Sequence, residues 1–113
     1  MALFAAAFPI PAGNTDKWRQ WMSELNGARN AEVRESREQL GVHERTFLQQ
    51  TPHGDLVIVT LEGENPAEAF GRFTQSTDPF AQWFLAHVQE LHGIDLRQPM
   101  PGPPPELVID SRG

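Results

Sequence analysis

The most constraining feature of the chain is residues 44–63, ERTFLQQTPHGDLVIVTLEG, where two runs rich in β-branched and apolar side chains flank a Pro-His-Gly-Asp turn signal. This is the pattern of a β-hairpin, with arms at 43–51 and 56–62. The second arm, LVIVTL, is apolar at odd and even positions alike, whereas a strand with one wet face alternates. Both of its faces therefore need cover. The run 3–10, LFAAAFPI, has the same two-sided character and predicts a further strand. Pro9, Pro11 and an Ala12-Gly13 loop close it, because proline cannot donate to a central ladder.

Between these strands lies a helical pattern. Asn14, Thr15 and Asp16 offer N-caps, and apolar residues recur at Trp18, Trp21, Met22, Leu25, Val33 and Leu40. Gly41 suits the left-handed position that ends a helix, and Asn26-Gly27 marks a point where the helix bends or breaks. After the hairpin, Asn65-Pro66-Ala67-Glu68 combines an N-cap, proline at the first helical position and a glutamate placed to close a capping box. This helix carries Phe70 and Phe73 and runs to about residue 76. Asp78-Pro79 then starts a helix over 80–92, stopped by Gly93, and spacing leaves open whether the two are separate or one kinked helix. Pro99, Pro101, Pro103, Pro104 and Pro105 impose an extended connector. Leu107, Val108 and Ile109 beyond it predict a short fourth strand, in the chain's own sheet or paired with a neighbouring chain.

The chain is 113 residues long, enough for one compact domain, read as 1–98 followed by a proline-rich connector and strand at 99–113. The order strand, helix, strand, strand, helix, strand is the split βαβ pattern of ferredoxin-like α+β domains: a four-stranded antiparallel sheet with helices on one face. The simplest cover for the open face is the same surface of a second copy, giving a homodimeric α+β barrel. A net charge of -6, with Lys17 as the only lysine, leaves no basic stripe for nucleic acid. Without cysteine there is no disulfide, thiolate nucleophile or cysteine-ligated metal, and a cytoplasmic location is the default expectation. The opening MALFAAAF lacks the basic segment of a signal peptide and reads as strand, and nothing approaches the roughly 20 apolar residues that cross a bilayer.

Over residues 3–92, the helix WRQWMSELN, the segment GVHERTFLQQTPHGDLVIVTLEG and the Asp-Pro helix start after a first short helix resemble the uncharacterised bacterial DUF6176 family of small dimeric α+β-barrel proteins. The resemblance implies the fold and the dimer, and no activity. A wider resemblance, resting on fold alone, is to cofactor-free monooxygenases and haem-degrading enzymes of the same superfamily. The proline-rich tail lies outside both.

Candidate chemistry comes from polar residues on apolar helix faces. At roughly 100° per residue, Phe80, Trp83, Phe84, His87, Val88 and Leu91 form one arc. His87 in that arc is a candidate general base or metal or haem ligand, and otherwise a core histidine bonded to a neighbour. The line through Trp18, Met22 and Leu25 continues to Arg29, Glu32 and Ser36. In an unbroken helix, Arg29 would line a cavity and hold an anionic group, with Glu32 orienting it. A rotation at Asn26-Gly27, or simple pairing of the two, would return them to water. His87 and His92 lie about 140° apart around a helix and cannot share a zinc ion as an i, i+4 pair does, and His43 and His53 add no ligand spacing. His92 is expected to favour the helix C-terminus as a cation, and Glu44, Glu62 and Glu64 to be solvated strand ends.

These features predict a small apolar or aromatic ligand held between sheet and helices by Trp18, Met22, Arg29, Glu32, Trp83, Phe84 and His87, with no resident cofactor or metal. Two other readings stand beside it. One is a cofactor-independent monooxygenase or isomerase with His87 as base and Arg29 assisting, or a haem-handling variant with His87 as axial ligand. The other is an interaction module whose tail strand docks on a partner.

Overall fold

The computed structural model describes residues 2–100 and 102–113. It contains β1 (Ala2–Ile10), α1 (Thr15–Asn26), α2 (Asn30–Leu40), β2 (Val42–Thr51), β3 (Gly54–Gly63), α3 (Pro66–Thr74) and α4 (Pro79–His92). The strands form a three-stranded antiparallel sheet in the order β1-β3-β2. The doubly apolar second arm of the hairpin is therefore the central strand, pairing Ala2 to Gly63 through Ile10 to Asp55 on one side and Val42 to Gly63 through Thr51 to Gly54 on the other. No helix among the described residues is long and apolar enough to cross a membrane.

Local chemistry explains the boundaries. The hairpin closes over Pro52 and His53, with Thr51 Oγ1 donating to the Gly54 carbonyl at 2.6 Å and accepting from the His53 amide at 3.1 Å. Gly54 takes φ +130°, a conformation that L side chains rarely adopt. At the other end of the hairpin, a Cβ on Gly63 would collide with the Gly41 carbonyl oxygen, so only glycine lets the chain leave α2 that close to β3. Asp78 caps α4 by accepting from the amides of Phe80 at 3.1 Å and Ala81 at 3.4 Å. Asn65 stands at the N-cap of α3 without a side-chain bond to the helix backbone; its amide donates to the Glu68 carboxylate at 2.7 Å instead. The segment 75–78 separates α3 from α4, which settles that they are two helices.

The expected long first helix is two helices. Gly27 interrupts the ladder, with its amide and that of Arg29 both returning to the Glu24 carbonyl, and α2 starts on a new axis at Asn30. Arg29, counted by sequence as an inward continuation of α1, becomes the residue before α2. Gly41 ends α2 at φ 73° as expected.

The core lies between the sheet and the helices. Alternation in β1 buries Ala6, Phe8 and Ile10, and β3 contributes Val57 and Leu61 from the same face. Against them pack Trp18, Trp21 and Leu25 of α1, Phe73 of α3 and Phe80, Ala81, Leu85, Val88 and Leu91 of α4. Long-range polar ties fix the layers: Asn14 Nδ2 donates to the Leu91 carbonyl at 3.1 Å, and Thr15 Oγ1 donates to the Asp55 carboxylate at 2.6 Å.

The opposite sheet face carries no helix among the described residues. By strand alternation and register it presents Leu3, Ala5, Ala7 and Pro9 beside Leu56, Ile58 and Thr60, with Arg45 and Phe47 on the far side. Leu3 is 58% exposed and Phe47 53%.

The expected fourth strand is absent among the described residues. Leu107, Val108 and Ile109 are 69%, 84% and 84% exposed and pair with nothing, so the free edge of β1 remains the sheet margin. Prolines at 99, 103, 104 and 105 supply no backbone donors and favour an extended chain, which leaves the segment before the triplet unable to build a ladder.

Candidate functional site

Between the helix-facing side of the sheet and helices α1 and α2 lies a cleft of about 1000 Å³, within the range of small-molecule sites. Phe8, Leu48, Val57, Val59 and Leu61 form its sheet wall; Trp18, Met22, Leu25 and Val33 face them from the helices, with Phe73 and Phe84 at one end. The polar Arg19, Asn26, Asn30 and Arg34 also border it, all but Asn30 exposed, and form its wetter margin.

One charged pair stands inside this apolar lining. Arg37 of α2 and Glu44 of β2 both border the cleft. Arg37 Nε donates to Glu44 Oε1 at 2.6 Å, and the side chains are only 11% and 19% exposed. Thr46 Oγ1 donates to the other carboxylate oxygen at 3.0 Å, so both oxygens hold a donor. Arg37 Nη1 donates to Ser36 Oγ at 3.0 Å. Its guanidinium carbon lies 4.5 Å from the Phe73 ring centre and 4.9 Å from that of Phe84, cation–π geometry in which the rings replace part of the lost hydration. A short charge-assisted bond, a second donor and two ring faces are what a mostly buried ion pair requires if it is not to destabilise the fold.

Neither residue is singled out by the sequence. Glu44 reads as a solvated strand end, and that reading is corrected by its burial and its two donors. The signal was its register: Glu44 shares the helix-facing side of β2 with Val42 and Leu48, and Arg37 sits one helical turn before Gly41, so the tight turn brings the two together. Glu62 and Glu64 fit the solvated reading better, Glu62 pairing at the surface with Arg45 at 3.4 Å.

Of the residues selected by sequence, Trp18, Met22 and Phe84 border the cleft. Arg29, Glu32, Trp83 and His87 do not. Arg29 bonds the Glu24 carboxylate at 3.3 Å and that of Glu32 at 3.1 Å, and its guanidinium lies 4.0 Å from the Trp83 ring centre. The inward placement required an unbroken helix, and the interruption at Gly27 removes that condition. Glu32 borders a separate, smaller depression of about 350 Å³. The His87 ring stacks on Trp21 at 5.2 Å with 18° between planes, and its Nδ1 is 3.0 Å from the Trp83 carbonyl one turn earlier. The indole N–H of Trp21 is buried without a hydrogen-bond partner among the described residues, which costs about 1–3 kcal/mol.

His92 overturns another expectation. It is 6% exposed, packs at 5.8 Å on Phe8, and has Nδ1 3.0 Å from the Pro9 carbonyl. Burial lowers its pKa, and the bond to Pro9 opposes this only in part. The imidazole is therefore a neutral tie between the end of α4 and β1, donating from Nδ1, rather than a cation at a helix terminus. It also borders the cleft.

Compared with known protein families, with curated proteins and with solved structures, the chain matches none.

Proposed function

We propose that this protein is a homodimeric α+β barrel of the kind its sequence resembles, the DUF6176 group, and that it binds a small apolar or aromatic molecule in the cleft between sheet and helices. The carrying observation is the cleft itself. Its roughly 1000 Å³, bordered by Trp18, Met22, Phe73 and Phe84, is the size and lining that small apolar or aromatic ligands require. The uncovered sheet face supports the dimer: Leu3 and Phe47 are more than half exposed, on a surface where Ala5, Ala7, Leu56 and Ile58 form an apolar patch between more polar edges. The catalytic version built on His87 and Arg29 gains nothing from their placement, since both lie outside the cleft and are engaged elsewhere. Docking by the tail has one observation in its favour, the exposed apolar triplet at 107–109.

The binding test is titration with N-phenyl-1-naphthylamine, an uncharged fluorophore that brightens in apolar surroundings. The expected result is saturable fluorescence, lost when Val59→Trp fills the cleft from the sheet side. Fluorescence that rises without saturation, or that is unchanged in the variant, would overturn the cleft reading. For the assembly, light scattering on a size-exclusion column is expected to give twice the 12.7 kDa chain mass, and a single-chain mass at micromolar concentration would remove the dimer.

A further inference from the structure

The Arg37–Glu44 pair gives the cleft a charge preference that its apolar walls alone would not. We infer that the part of the cleft beside Arg37 and Glu44 selects uncharged aromatic molecules that carry a hydrogen-bond acceptor, such as an amide or ketone carbonyl, and rejects the corresponding carboxylates. This rests on the cleft being a ligand site and goes beyond it by fixing the class of ligand.

An arginine bordering an aromatic cavity would by itself recruit an anion. Here the guanidinium charge is already matched: Glu44 accepts from Nε at 2.6 Å, and both groups are more than four-fifths buried. A carboxylate ligand would place a second anion against a single cation, beside a carboxylate that Thr46 also holds in place. Two anions sharing one mostly buried cation repel more than the arginine attracts.

Arg37 nevertheless keeps hydrogen-bonding capacity. Its Nε and Nη1 bond Glu44 and Ser36, whereas Nη2 is neither hydrogen-bonded nor sealed from solvent among the described residues. Nη2 can donate to a neutral acceptor, and the Phe73 and Phe84 rings that carry the guanidinium also present apolar surface to an aromatic ring. Arg19, Arg34 and Glu38 are the other charged groups of the rim. All three are exposed, so water and salt screen them and they add little to selection beside Arg37 and Glu44.

The test uses two probes of the same shape and different charge, naphthalene-2-carboxamide and naphthalene-2-carboxylate, titrated calorimetrically into the full-length protein at neutral pH. Wild type is expected to bind the carboxamide at least about tenfold more tightly than the carboxylate. Glu44→Gln, which keeps shape and hydrogen bonding while removing the matching charge, is expected to move that ratio at least about tenfold toward the carboxylate, because Arg37 is then an unmatched cation. A ratio unchanged in the variant would mean that the pair is only a structural tie between α2 and β2, and the inference falls. Equal or tighter carboxylate binding by wild type overturns it directly. If N-phenyl-1-naphthylamine binds saturably and neither naphthalene probe competes, the cleft reading survives and the role of Arg37 fails; if no probe binds, both fail together.

Discussion

The two faces of the sheet are built from the same three strands, yet one has become the core wall and the other carries apolar side chains into solvent. On the helix side, Phe8 and Val57 are 5% and 3% exposed; on the other, Phe47 is 53% exposed although it stands in register with Ile58 on the central strand. Apolar patterning demands cover without saying what supplies it. All four helices went to one side, because the crossover from β1 to β2 and the segment after β3 pack against a single core. What remains is a face that no helix among the described residues covers. The inner face also differs in quality, being filled near α4 and open near α2, where the cleft and its ion pair lie.

Substitutions on the two faces should separate sharply. Leu85 of α4 is 2% exposed in the middle of the core, and Leu85→Ala is expected to lower unfolding free energy by about 3 kcal/mol in denaturant titration. Phe47→Ala removes a larger side chain, but from the open face, and should lower it by less than about 1 kcal/mol. Comparable losses at the two positions would break the distinction between a covered and an open face.

Within the covered face, the ion pair should matter next most. Glu44→Ala leaves the Arg37 guanidinium mostly buried without its counter-ion, and a loss of about 2 kcal/mol is expected, somewhat below the value for fully buried pairs because the cleft admits water. A loss near zero would show that water solvates Arg37 as well as Glu44 does.

A smaller, pH-dependent effect comes from His92. Its folded pKa lies below the ordinary imidazole value of 6.5, so the unfolded chain takes up a proton more readily than the native one. The contribution of this residue is therefore complete above pH 6.5 and is lost as pH falls from there toward the lowered folded value. Chemical denaturation at several pH values should show stability rising with pH across that window. His92→Asn, which keeps a donor for Pro9 and does not titrate, should flatten the rise, and an undiminished slope in the variant would place its origin elsewhere.

The smallest effect is expected at Arg29. Its ion pairs are about one-third to one-half exposed, and its ring contact with Trp83 lies at the surface, so Arg29→Ala should cost below about 1 kcal/mol and leave probe binding in the cleft unchanged. Altered binding would restore Arg29 to the site.

Much of the fold was legible in the sequence because its signals are local. Gly41 and Gly93 adopt the left-handed conformation their positions called for, Asp78 caps α4 with Pro79 in the first turn, and the hairpin closes where the Pro-His-Gly-Asp signal stands. Strand alternation likewise led to one set of residues buried by helices. The candidate site was less legible, since Arg29 and Arg37 look alike in sequence, each with a glutamate nearby, and a helical phase carried through Asn26-Gly27 favours Arg29, which lies outside the cleft, over Arg37, which borders it. The break at Gly27 changes the direction of every residue after it by an amount that spacing does not encode. The fourth strand failed for a related reason: Leu107, Val108 and Ile109 have strand character, but a strand exists only where an edge is within reach, and the proline segment sets that reach.

By itself, then, the sequence determined most of the elements, several of their caps and turns, the α+β class and the two-sided apolar character of β1 and β3, because each of these follows from backbone geometry and side-chain polarity within a few neighbouring residues. Only the tertiary structure decided that the first helix is two, that Glu44 closes onto Arg37, that His92 is buried and neutral against Pro9, and that the sheet stops at three strands. These depend on distances between residues that local patterns leave free, up to the 83 positions that separate Pro9 from His92. Burial then fixes which charges must be matched and which protons are released.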